Sequence, residues 1–133
     1  MKASWTTKFL MSAALMVGSF QVAQAQQAPP KEVVIGVSDV FVPGGFDSEA
    51  DTYVVVSGIF PNGCYRWSGA DVSSPGPFSH IIRSKALVSQ GMCLMVLVPF
   101  TKEVRIGQLP SGEHKLRFVN GDGTFMERTM KVE

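Results

Sequence analysis

The sequence reads as an all-β domain, an antiparallel β-sandwich of seven or eight short strands carrying one disulfide. Three observations predict it. Runs rich in β-branched and aromatic residues recur along the chain, each bounded by glycine, proline or asparagine. No stretch after residue 25 shows a helical period. The two cysteines, Cys64 and Cys93, both follow an export-type N-terminus, and an oxidising compartment favours pairing them.

The N-terminus has Lys2 and Lys8, an apolar stretch from Phe9 to Phe20, and then Ala23 and Ala25 at the two positions a signal peptidase reads. The stretch is about a dozen residues, short of the ~20 a bilayer-spanning helix needs. Residues 1–25 are therefore expected to be a cleaved signal peptide. Gln26 follows the cut, so the new N-terminus offers no cysteine for lipid attachment. Removing the signal leaves ten basic against eleven acidic side chains, a formal charge of −1. A near-neutral surface gives no electrostatic case for nucleic acid or anionic lipid. Residues 26–31, with Pro29 and Pro30, suit a short tether, and 32–133 suit a single domain.

Lys31 to Val40 alternates Val33, Ile35 and Val37 on one side and predicts the first strand. Pro43 to Asp51 makes an acidic loop, and Thr52 to Phe60 is a β-branched run that predicts the second strand. Asn62-Gly63 is the strongest turn signal and predicts a tight hairpin into a strand from Cys64 to about Ala70. Tyr65 and Trp67 share one parity and are expected inward, with Cys64 at the exit of the turn. Ser73 to Pro77 reads as a loop, and Phe78 to Val88 as a strand with Phe78, Ile82, Ala86 and Val88 on one face. Gln90-Gly91 turns the chain, and Met92 to Val98, apolar on both faces, predicts a central strand. Pro99 ends or kinks that strand, because it cannot donate to a ladder. Lys102 to Gly107, His114 to Asn120 and Phe125 to Val132 complete the set, with a turn at Gly121 to Gly123.

Closing a loop of about 30 residues between Cys64 and Cys93 stabilises the fold by roughly 3.5 kcal/mol in the chain-entropy model. The bridge then stitches the Asn62-Gly63 turn to the Gln90-Gly91 turn at one rim. If the chain only kinks at Pro99, the Asn120 to Gly123 turn falls at the same rim; if it reverses there, that turn lands opposite.

Leu109-Pro110-Ser111-Gly112-Glu113-His114-Lys115-Leu116 resembles the Leu-x-x-Gly-x-Tyr-x-Val corner of immunoglobulin-like and transthyretin-like domains, with His114 in the tyrosine position. The resemblance implies that His114 makes the corner hydrogen bond to backbone. Gly58, Pro61 and Cys64, then Cys93, Pro99 and Phe100, then the corner and Asn120-Gly121, together resemble small exported bacterial domains without an assigned activity. That likeness runs from Thr52 onward. It implies an immunoglobulin-like sandwich and a compartment, not a reaction.

No nucleophile elbow, phosphate-binding glycine loop or His-Glu-x-x-His occurs, so no catalytic residue and no cofactor is assigned. Asp47, Glu49 and Asp51 alternate and form a candidate calcium site, although such loops are usually just solvated. Met92 and Met95 beside Cys93 suit Cu(I) by chemistry but core filling by spacing. Lys102, Arg105, Lys115, Arg117, Arg128 and Lys131 alternate with Glu103, Glu113 and Glu127 and read as a mixed solvated surface. The expected function is a non-enzymatic periplasmic or secreted domain that binds or supports another envelope protein or glycan. The rim residues Asn62, Gln90 and Asp122 are its candidate contacts. An inhibitor of an exported protease or lysozyme is the alternative, and an enzyme whose polar groups converge only in three dimensions, or a metal-binding protein, is the third.

Overall fold

A computed structural model describes residues 18–19 and 28–133. The expected signal segment, residues 1–25, lies outside the described residues apart from Gly18 and Ser19. Eight strands form: β1 Lys31–Ile35, β2 Asp39–Phe41, β3 Thr52–Phe60, β4 Tyr65–Gly76, β5 Ser79–Val88, β6 Val98–Gly107, β7 Gly112–Val119 and β8 Phe125–Val132. There is no helix among the described residues.

In the first sheet β5 is central. β4 runs along one of its edges, and two strands share the other end to end: β1 beside Ser84–Val88 and β7 beside Ser79–Ile82, with β8 on the far side of β7. The second sheet has the order β2-β3-β6. Every strand pair is antiparallel except β5–β7. Strand alternation fills the space between the sheets. Val54, Val56 and Val104 face Ile82, Ala86, Leu116, Phe118 and Met130, and all eight are buried. Each of these side chains other than Ala86 contributes ~1.5–3 kcal/mol on burial.

The strand directions send the β3–β4 link, the β5–β6 segment and the β7–β8 turn toward one end, the disulfide end. The acidic loop and the β6–β7 corner lie at the other. Because β7 pairs only with the lower part of β5, its turn stops short of the rim, at the level where β1 finishes.

Five local expectations change. The single strand expected from Lys31 to Val40 is two: the chain leaves the first sheet at Ile35 and joins the second at Asp39. Asn120 Oδ1 accepts from the Val37 N–H at 3.3 Å, and Ser38 N–H donates to Ser57 O at 2.8 Å, which pins the crossing. The Asn62-Gly63 link is not a hairpin, since β3 and β4 belong to different sheets and Gly63 lacks positive φ. Asn62 Oδ1 instead accepts from the Cys64 N–H at 2.9 Å and shapes an arch. The loop expected at Ser73 to Pro77 is largely strand: β4 is an edge, so it carries Pro75 and a register break between Ser73 and Gly76.

The central strand expected at Met92 to Val98 does not form. Residues 92–97 lie outside all strands, with Met92 105% and Met95 82% exposed. Both flanks of upper β5 are taken, by Lys31 of β1 and Tyr65 of β4 opposite Val88, so a strand following it cannot fold back beside β5. The segment must also cross to the second sheet. Pro99, finally, neither ends nor reverses a strand. It is the second residue of β6, opposite Ile59, and β6 is an edge that tolerates a missing donor. The Asn120 turn accordingly points toward the disulfide end.

Candidate functional site

At the disulfide end Cys64 is bonded to Cys93, with 5.2 Å between their Cα atoms. Two main-chain bonds brace the same junction, Gly63 N–H to Leu94 O at 2.9 Å and Ser89 N–H to Cys64 O at 3.0 Å. The arch after β3 and the segment after β5 are thus held as one unit. Above it stand Met92, Leu94, Met95, Val96 and Leu97, all exposed.

Beneath the arch the aromatic side chains stack. The Phe60 ring lies 4.4 Å from Phe100 and 5.7 Å from Tyr65, and Trp67 tilts against Phe100 at 5.7 Å. This follows from parity: Tyr65 and Trp67 point inward on β4, as Phe60 does on β3 and Phe100 on β6. A cleft of about 440 Å³ opens beside the stack, between the free edge of β1 and upper β3, with Phe60, Tyr65 and Phe100 on one wall and Asn120 to Asp122 on the other. Gly121 is required there, because a Cβ would sit 2.5 Å from Val34 O.

The three rim residues do not converge on one point. Asn62 spends its side-chain oxygen on the Cys64 N–H. Asp122 lines the cleft, and its carboxylate accepts from Thr124 N–H at 3.0 Å and Thr124 Oγ at 2.6 Å, bonds that hold its pKa below the usual carboxylate range. Gln90 lines a separate depression of about 240 Å³ with Ala28, Pro30 and Met92, and donates to Pro29 O at 3.2 Å. Asn62 and Asp122 serve first as turn-formers, while the apolar segment between Gly91 and Val98 occupies the outermost position. Its composition was legible; its exposure required the strand order.

The opposite end holds a polar chain. His114 Nε2 bonds Pro110 O at 2.7 Å, the backbone contact at the corner. A carbonyl only accepts, so this nitrogen carries the proton, and in a neutral ring Nδ1 is then an acceptor. His80 Nε2, 2.9 Å away, donates to it, and His80 Nδ1 accepts from Ser74 Oγ at 2.6 Å. Both rings are buried and stacked at 5.1 Å. Burial, and then the neighbouring His114, push the His80 pKa below its ordinary value. His80 belongs to no motif in the sequence, and its one signal there is the inward parity it shares with Ile82 and Ala86.

Asp47, Glu49 and Asp51 are not brought together. Asp47 Oδ1 accepts from the Glu49 and Ala50 N–H groups, and Asp51 lies 3.6 Å from Arg105. Among the described residues no three His, Cys, Asp or Glu side chains form a set able to hold a metal ion. On the outer face Arg117 pairs with Glu127 at 2.8 Å and lies over the Phe125 ring, while Arg105 and Arg128 lie 3.6 Å from Asp51 and 3.9 Å from Asp39.

A family model described as the ORF11 beta-sandwich domain matches residues 54–130, more than half of the chain. The chain belongs to this family. The ORF11 beta-sandwich match begins inside β3 and ends inside β8, so it takes in both cysteines, the aromatic stack, the apolar segment and the two histidines. It leaves out β1, β2 and the acidic loop. Comparison with curated proteins and with solved structures finds no match.

Proposed function

We propose that the chain is an exported bacterial domain, non-enzymatic, that binds or supports another component of the cell envelope through its disulfide end. One observation carries this reading: five apolar side chains from Met92 to Leu97 stand in solvent on a segment clamped by Cys64–Cys93 and the Gly63–Leu94 bond. A soluble domain rarely leaves a contiguous apolar patch open unless something covers it. Clamping also lowers the ordering entropy lost on contact. The leader-like N-terminus and a cysteine pair at bonding distance support export.

The test is photo-crosslinking in intact cells from a probe at position 95, with a probe at position 131 as control. Adducts with an envelope protein from position 95 alone support the reading. Equal labelling from both positions, or protein that retains residues 1–25 and two free thiols, overturns it.

A braced convex loop also suits insertion into an enzyme cleft, which is the inhibitor reading. Stoichiometric inhibition in a titration against exported proteases and lysozymes would favour it over the accessory role.

A further inference from the structure

We propose that the Met92–Leu97 segment is the self-association surface of a symmetric homodimer. The inference rests on the reading of the disulfide end as a contact surface and names the partner as a second copy of this chain.

The area fits. Met92, Leu94, Met95, Val96 and Leu97 are 105%, 76%, 82%, 53% and 71% exposed. Together they offer on the order of 700 Å², beyond the largest patch of an ordinary monomer and close to the ~800 Å² each partner gives to a standard interface.

The chemistry fits a copy better than a membrane. A two-fold axis sets a patch against itself, so the patch must be self-complementary. From Gly91 to Pro99 there is no charged residue, and apolar surface meets itself without repulsion. Peripheral lipid contact through so short a loop would need a strongly basic surround, whereas at this end Lys31 and Arg66 stand with Glu32 beside Leu87 and Val88, and Asp122 lines the neighbouring cleft.

The backbone points the same way. The N–H groups of residues 92–97 find no acceptor among the described residues, although the run is β-prone. Antiparallel pairing of two such segments across the axis satisfies alternate N–H groups, those on the side away from Gly63, because Leu94 O is already held by Gly63 N–H. The missing ladder that keeps this segment out of its own sheets is supplied by the other copy.

Sedimentation velocity on the oxidised protein from its native compartment, from about 1 to 100 μM, tests this. The expected result is a monomer–dimer equilibrium in that range that Met95→Glu and Leu97→Glu each weaken by about tenfold or more. Far-UV circular dichroism should stay unchanged in both variants. A wild-type protein that is monomeric at 100 μM overturns the dimer, as does a dimer indifferent to both substitutions. The envelope-binding reading fails separately: a monomer whose position-95 probe still captures a different protein loses only the dimer, and a monomer that captures nothing loses both. A monomer that co-sediments with phosphatidylglycerol vesicles assigns the patch to lipid and overturns the dimer.

Discussion

His80 and His114, the chain's two histidines, meet in the interior at the end away from the disulfide, and their hydrogen-bond order follows from Pro110 offering only a lone pair. The folded pKa of His80 lies below its ordinary 6.5, so the unfolded chain binds more protons as pH falls past that value. Its contribution to stability is complete above pH 6.5 and is lost as pH drops toward the folded pKa. Urea midpoints should therefore decline from pH 7.5 to 5, and His80→Gln should flatten that slope. Asp122 and Glu127, whose pKa values are lowered by Thr124 and Arg117, contribute above the carboxylate range and lose that only at more acid pH, leaving the window to histidine. Gly58 is the second residue-scale constraint. A Cβ there would lie 2.5 Å from the Phe100 ring and 3.1 Å from Gly36 O, and Phe100 is held in the aromatic stack. Gly58→Ala should cost about 2 kcal/mol in denaturant unfolding through overpacking.

At the scale of elements, a side chain from a distant turn braces the crossing between β1 and β2. Asn120 accepts from Val37 N–H and donates to Thr124 Oγ, so it ties the β7–β8 turn to the point where the chain changes sheets. Asn120→Ala leaves the Val37 donor unmatched and should cost about 1–2 kcal/mol. Hydrogen exchange should quicken at Val37 and Ser38 while β3 stays protected. The disulfide acts on two other elements, the β3–β4 arch and the β5–β6 segment. Reduction should lower stability by roughly 3.5 kcal/mol, read as a shift in the denaturant midpoint. The segment 92–97 should then gain proteolytic sensitivity ahead of any strand.

At the scale of the whole molecule the two ends have different characters. One is apolar, braced and exposed; the other is closed by the corner and the histidine pair, with Glu133 N–H bonded to Phe46 O at 2.8 Å. Contacts with other macromolecules are expected at the first. On the outer face, Arg117→Ala should leave both self-association and crosslinking from position 95 unchanged, because that arginine already has Glu127 and Phe125 for partners.

Alternation and turn chemistry determined much of this protein. Thr52–Phe60 and Phe125–Val132 form the strands their patterns predict, Tyr65 and Trp67 point inward, and Cys64 meets Cys93. Those properties depend on neighbours a few residues away, or on the small number of cysteines available to pair. Which sheet each strand joins depends on partners far along the chain, and only the tertiary structure decided it. Lys31 to Val40 divides between sheets because β7 occupies the lower half of the edge that β1 uses, and Met92 to Leu97 stays in solvent because both flanks of β5 are filled. An apolar run records a preference for burial; whether a strand edge remains free to receive it is a property of the packed whole.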